Sequence, residues 1–577
     1  PTSFIVFKAK VYTEPPFIAD LITFRSVINM IHLLLIVVLG CLTRVDSFSS
    51  LSQTPGSIAA ETLVQPPQQF RSVDDLAAAL HLKSDQTLQI ESSVKLSKGL
   101  IQNKLRIYNN GVPIRNFILQ AISFKNGTFN GAVSGWLPPP VGYINSTISK
   151  SEDELATITA NIANNYSSGR SDVEIACAAD LTNHTCIKQI DINTTTGKAA
   201  LVYFVRATLS TNQLIRFPRG IVDAVTGNVI TSSAAISRRK DHNYGGKSCD
   251  IIGDIVNIVS KETTCCPELK GGNLKCPGPN YGPKKKQICL NATYKDGYVI
   301  LANKNVEVYT LDNQVDLRQG KIVKFKPEDG PNDEINGASS PAADVWYYVN
   351  QIFDFMIESN VTFPHTPVRA YVHFADKFEN SFSDGTNMVF GDGDTFLYPL
   401  SAADVVAHEF AHIFVNATRV SNFRDESIGS LESYCDIFAK SFSAYLNPDG
   451  KVSDWTLGTC VTKQDNTTLR TFDDPTRGGF FKDNLTDLGN SFFYKGLGIF
   501  DRAFYCIVQE ENVPINDAFK AFTNAVLLFW SESTGFLDNA CGVYRAASNL
   551  QLNATSFFNC FRNVGIDLHF CSLVRTQ

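Results

Sequence analysis

Apolar residues recur at helical spacing along Pro341–Glu358 (PAADVWYYVNQIFDFMIE), which predicts a long helix with a buried face. A second apolar run, Val405–Val415, is interrupted only by His408, Glu409 and His412 and reads as a buried helix. Ser401, with Asp404 three residues on, is placed to cap its start as a capping box. Beyond residue 427 the helical pattern persists through Ala444, then over Phe492–Gln509, Ile515–Trp530 and Cys541–Phe561. Upstream the period falls to two. Leu105–Tyr108 runs into the turn signal Asn109-Asn110-Gly111. Phe117–Phe124 alternates, Lys125-Asn126-Gly127 turns, and Thr128–Trp136 returns. A short helix, Val73–Leu82, precedes these strands. After Pro138-Pro139-Pro140 a helix opens at Ser151 and runs toward Asn164, followed by strands at Ala199–Leu209 and Gly220–Thr231. The expected class is α+β. Two small α+β units over 50–140 and 150–236 precede a mixed β/α segment, 249–425, and a mainly helical one, 426–577.

At 577 residues the chain is too long for one domain, and 44% hydrophobic content suits globular cores. A net charge of -6 without a long basic run excludes an electrostatic footprint for nucleic acid. The first methionine is Met30. The apolar run after it, Ile31–Leu42, is shorter than the ~20 residues of a membrane span. Residues 30–48 therefore read as a secretory signal sequence and 1–29 as an upstream extension; a signal anchor is the rival, and no stable membrane span is expected.

Secretion changes the reading of the cysteines. There are 14, and setting aside Cys41 leaves an odd number, so at least one thiol is free or pairs elsewhere. Cys249, Cys265, Cys266, Cys276 and Cys289 lack paired C-x-x-C units, which favours disulfides over a zinc ribbon. Cys177 and Cys186 are near enough in sequence to pair. Sequons at Asn126, Asn145, Asn165, Asn183, Asn193, Asn291, Asn360, Asn416, Asn466, Asn484 and Asn553 point to a glycosylated extracellular product. Ser237-Arg238-Arg239-Lys240 marks 237–248 as a processing linker for a trypsin-like or dibasic-cutting protease, and hence a zymogen.

The chemistry sits in His408-Glu409-Phe410-Ala411-His412. Spacing of i, i+4 puts both imidazoles on one helix face, where they can share a metal ion, and Glu409 lies beside the first as a candidate general base. Twenty residues on, Glu432 and Asp436 repeat the i, i+4 spacing. One carboxylate can complete a His2Glu zinc site with an open position; the other can hold the back nitrogen of a zinc histidine.

These motifs resemble the thermolysin family of zinc metallopeptidases. Asn380-Ser381-Phe382 and Met388–Asp394 resemble the family's edge strand and the loop after it, and Arg470-Thr471-Phe472-Asp473-Asp474-Pro475 resembles the segment carrying its carbonyl-binding arginine. Asp517–Phe522, Ala540–Val543 and Asn563-Val564-Gly565 are most similar to the bacterial elastase branch. The resemblance covers roughly 295–570 and implies a two-lobed catalytic domain, with His408, His412 and Glu432 as zinc ligands, Glu409 catalytic and Asp436 behind a ligand. It also implies that Asn380, Ser381 and Arg470 bind substrate. The units at 50–140 and 150–236 resemble a fungalysin/thermolysin-type and a PepSY-like propeptide, an inbuilt partner beside protein or peptide substrates. Tyr494 falls where the family has its oxyanion imidazole, and Phe423 where it has the assisting tyrosine. Asp404 and Asp454 fit the family's double calcium site, but its other acidic positions fall on Ser443, Thr456 and Thr459, so loss of that site is expected. Two readings stand: a secreted zinc endopeptidase, and a disarmed relative that binds zinc and peptides.

Overall fold

The computed structural model describes most of residues 58–571; outside it lie 1–57, 572–577 and internal stretches, the longest being 175–185, 239–254, 259–285 and 418–424. The N-terminal part begins with helix α1 (Val73–Ala79), whose N-cap Ser72 accepts the Asp75 N–H at 3.1 Å. It packs on an antiparallel meander of β1 (Gln86–Lys95), β2 (Leu100–Asn109), β3 (Val112–Phe124) and β4 (Phe129–Leu137). The β2–β3 turn is the predicted one, with Asn110 at φ 46° and Gly111 at φ 77°. Helix α2 (Glu152–Tyr166) follows, then β5 (Cys186–Ile192), β6 (Ala199–Arg206), β7 (Leu214–Asp223) and β8 (Val229–Arg238).

The two predicted units share one core. β3 is long enough to pair at Ile114 with Ile190 of β5, and Leu76, Leu105, Ile114, Leu155, Ile190 and Val205 fall in one buried cluster. Strand β8 extends to Arg238, paired with Leu214, so Ser237 and Arg238 lie in the sheet. Residues 239–248 of the expected linker lie outside the described residues, as do Cys177, Cys249, Cys265, Cys266 and Cys276.

The following part is a mixed sheet with helices. Its strands are β9 (Val306–Thr310), β10 (Lys321–Ile322), β11 (Val368–Val372), β12 (Ser381–Ser383) and β13 (Asn387–Phe390), in the order β10-β9-β11-β13-β12. β12 is an edge strand, antiparallel to β13. Helix α3 (Pro341–Glu358) matches its prediction: Ser340 caps it, Pro341 occupies its first turn, and Val345, Trp346, Val349, Ile352 and Met356 are buried. Helices α4 (Ala403–Ala417) and α5 (Asp425–Leu446) cross over it, with α6 (Leu497–Tyr505), α7 (Ile515–Leu528), α8 (Phe536–Asn549) and α9 (Ala554–Asn563) beyond. Aromatic rings join them: Phe355 of α3 lies 5.6 Å from Phe438 of α5 and 4.9 Å from Phe519 of α7, and Phe410 lies 5.5 Å from Phe353. Each such ring withdrawn from water stabilises the core by ~1.5–3 kcal/mol.

Two local expectations are corrected. Ser401 does not cap α4, because the helix starts later and its hydroxyl donates to Asp344 Oδ2 at 3.3 Å. The predicted helix Cys541–Phe561 is two helices, broken where Gln551 takes φ 61°, a left-handed value that ends a helix. Disulfide Cys506–Cys560 ties the end of α6 to α9 and Cys541–Cys571 ties α8 to the segment after α9; Cys460 is also bonded, and Cys435 is free and buried.

The N-terminal meander docks on the C-terminal end of α7. The last carbonyls of a helix have no partner of their own. Here Ser92 Oγ donates to Leu527 O (2.5 Å), Gln120 Nε2 to Leu528 O (3.0 Å) and the buried Lys104 Nζ to Trp530 O (3.1 Å). Among the described residues no helix is long and apolar enough to cross a membrane. The sequon asparagines Asn126, Asn145, Asn165, Asn193, Asn360 and Asn553 are exposed, whereas Asn416 gives its amide to Gly385 O at 2.9 Å.

Candidate metal centre

Helix α4 carries His408 and His412 on one face because they are one turn apart, and α5 brings Glu432 to that face. The Nε2 atoms of His408 and His412 are 3.2 Å apart, and Glu432 oxygens lie 3.7 Å and 3.6 Å from them. Ligands ~2.0–2.1 Å from a tetrahedral zinc ion stand about 3.3 Å from one another, so the three fit zinc as they are. Among the described residues they are the cluster of side chains that could hold a metal ion.

Behind them, His408 Nδ1 lies 2.7 Å from Asp436 Oδ1. Asp436 also pairs with Arg470, carried by the short strand Arg470–Thr471. Burial works to raise the Asp436 carboxyl, but the Arg470 and His408 charges outweigh it and hold it well below the usual carboxylate range. Arg470, expected to face substrate, thus commits its guanidinium Nη1 to Asp436.

Glu409 is 5% exposed, and burial pushes its carboxyl up to about 7. Ser381 Oγ donates to Glu409 Oε1 at 2.7 Å. The hydroxyl assigned to substrate backbone therefore grips the candidate base, and among the described residues β12 is an outermost strand of its sheet. Asn380 turns its carbonyl inward to the Gly391 N–H at 3.1 Å. Any side chain at Gly391 would put Cβ 2.2 Å from Phe378 O, which explains the glycine.

Two neighbours escaped sequence reasoning. Cys435 Sγ lies 3.4 Å from His412 Nδ1, the equivalent back position on the second histidine. Asp501 on α6 is fully buried and accepts from Ser433 Oγ at 2.5 Å; burial and the Asp436 charge push its carboxyl up. Nothing local marks either one. Tyr494 lies in the 3-10 turn Phe493–Gly496 that leads into α6, and Phe423 lies outside the described residues.

The loop after β13 is fastened by His373, whose Nδ1 is 2.9 Å from Asp392 and whose Nε2 is 3.4 Å from Asp333. Burial would lower this imidazole, but the two carboxylates outweigh it and raise it to about 9. The stabilisation is therefore complete below the unfolded value near pH ~6.5 and is lost as pH rises through about 9. The urea-unfolding difference between wild type and His373→Gln is expected to be ~2–4 kcal/mol near pH 6 and to shrink well below that above pH ~10. A difference that does not change with pH would refute the assignment.

Residues 279–416 match the model of the thermolysin metallopeptidase catalytic domain, and 422–566 that of the thermolysin metallopeptidase alpha-helical domain. The virulence metalloprotease of Vibrio anguillarum is 25% identical over 525 residues, covering 89% of this chain and 79% of the relative. The neutral protease of Vibrio proteolyticus is 26% identical over 529 residues, covering 88% and 80%. The hemagglutinin/proteinase of Vibrio cholerae is 32% identical over 240 residues, covering 40% and 38%. With both lobes matched in order and the three-ligand cluster at their junction, the chain belongs to the thermolysin family of zinc metallopeptidases.

Proposed function

We propose that this chain is the precursor of a secreted zinc endopeptidase in which Glu409 is the general base. The observation that carries the reading is a buried carboxylate adjoining a three-ligand zinc cluster and gripped by Ser381. His408, His412 and Glu432 hold the ion, which when bound supplies a Lewis acid that acidifies water toward pH ~7 and polarises a carbonyl. An extended peptide lies along the open edge of β12, adding a strand to the sheet. Glu409 takes a proton from the attacking water and passes it to the departing amine nitrogen. Arg470, steadied by Asp436, offers guanidinium donors to the substrate carbonyl. The preferred residue after the scissile bond is apolar. The N-terminal sheet acts as a prosegment, released by cleavage within 237–248.

The second reading, a disarmed zinc- and peptide-binding relative, is favoured by Tyr494 and Phe423 standing where the family has its imidazole and tyrosine. Loss of one oxyanion donor typically costs ~10²–10³-fold in kcat. The test is cleavage of an internally quenched peptide, with Leu or Phe after the scissile bond, by the secreted, processed protein. Under the first reading wild type cleaves and 1,10-phenanthroline abolishes cleavage. If wild type binds zinc but stays silent, and Tyr494→His, alone or with Phe423→Tyr, restores turnover, the disarmed reading stands.

A further inference from the structure

The family resemblance implies two calcium ions near the start of the zinc helix, and the side chains present there do not fit them. Two hard cations need several carboxylates, and of the five positions only Asp404 and Asp454 carry one. The remaining oxygens are engaged elsewhere. Ser443 Oγ donates to Ala439 O of its own helix at 2.9 Å. Thr456 Oγ1 donates to Asp454 Oδ1 at 2.5 Å and lies 2.7 Å from Thr459 Oγ1. Both Asp404 oxygens accept backbone N–H groups, Oδ2 from Gly458 at 2.7 Å and Oδ1 from Val405 at 2.9 Å.

A cation of the chain's own occupies the neighbourhood. Lys440 projects from α5, its side chain 1% exposed, with Nζ 3.5 Å from Asp454 Oδ1. Burial pushes the Asp404 carboxyl up, opposed first by the Gly458 N–H and then by the Lys440 charge; the Gly458 bond ties Asp404 to the segment that carries Asp454. Asp404 lies in the first turn of α4, Lys440 on α5, and Asp454 just before the Thr456–Leu457 strand. A divalent ion brought beside a buried ammonium would meet like charge at short range with little water to screen it.

We propose that the Lys440 ammonium replaces structural calcium in this chain, fastening the start of the zinc helix to α5 without a divalent cation. The site is expected to be indifferent to calcium and to depend on the lysine charge. The test is the thermal midpoint of the full chain, zinc-loaded and in a Glu409→Gln background that prevents autolysis, with and without millimolar calcium, the range in which extracellular calcium modules bind. The expected result is a midpoint that calcium shifts by less than about 2 °C, while Lys440→Met lowers it by roughly 5–15 °C in either condition. Lys440→Glu, which adds a third carboxylate, should be similarly destabilised without calcium and regain most of the loss with it. The proposal is overturned by a calcium-dependent midpoint in the parent protein, by a Lys440→Met variant that melts unchanged, or by a Lys440→Glu variant that calcium does not rescue.

Discussion

Replacing Glu409 by glutamine is expected to lower kcat for peptide cleavage by ~10²–10⁴-fold while one zinc ion stays bound. Glutamine has the same shape and can still accept the Ser381 hydrogen bond made at 2.7 Å, so the side chain stays in place. What it cannot do is take a proton from water. Glu409 supplies none of the three ligand atoms, so zinc stoichiometry measured on the purified variant should match wild type. That combination, full metal and lost turnover, separates a base from a structural carboxylate. If the variant kept more than a tenth of wild-type kcat with its zinc in place, another group would have to be the base. Ser381→Ala tests the grip: it leaves the carboxylate but frees it to rotate, so a smaller fall in kcat is expected, with KM little changed.

Asp436→Ala should have the second-largest effect, and on two observables at once. Asp436 is fully buried between His408 Nδ1, at 2.7 Å, and the Arg470 guanidinium. Removing it unlocks the His408 tautomer, which should weaken zinc by about 10–100-fold in a chelator competition. It also removes the carboxylate paired with a largely buried guanidinium, and breaking such a pair costs ~3–5 kcal/mol in urea unfolding. Asp501 modifies the outcome. Its carboxyl is pushed up partly by the Asp436 charge, so in the Asp436→Ala variant it ionises more readily and can answer Arg470 in part. Asp436→Ala with Asp501→Asn should therefore unfold more easily than Asp436→Ala alone. Asp501→Asn by itself should be close to neutral, because the amide keeps the shape of the side chain and its oxygen can still accept from Ser433 Oγ. A double variant no weaker than the single would show that the two acids do not share a charge.

The contrast among these groups shows which parts of the site a reader of the chain can find. The clustering of these side chains was legible because helical geometry is local: four residues make about one turn, so His408 with His412 and Glu432 with Asp436 declare their shared faces before any folding. Helix α3 was legible for the same reason, its apolar stripe and Ser340-Pro341 start agreeing on one answer. The Ser401 cap was not, since a serine near a helix start has several partners within reach, and Asp344 won.

By itself, then, the sequence determined what is periodic or contiguous: the α+β order of elements and the grouping of His408, Glu409 and His412, with Glu432 and Asp436, on shared helix faces. Only the tertiary structure decided contacts between residues far apart in the chain. These are the Ser381 grip on Glu409, the Cys435 thiol behind His412, the Asp501 acid beside Asp436, the Lys440 ammonium at Asp454, and the pairing of Cys506 with Cys560 and Cys541 with Cys571. The physical reason is range. Backbone geometry repeats over a few residues and leaves a periodic trace, whereas packing brings together side chains from separate elements whose spacing obeys no period.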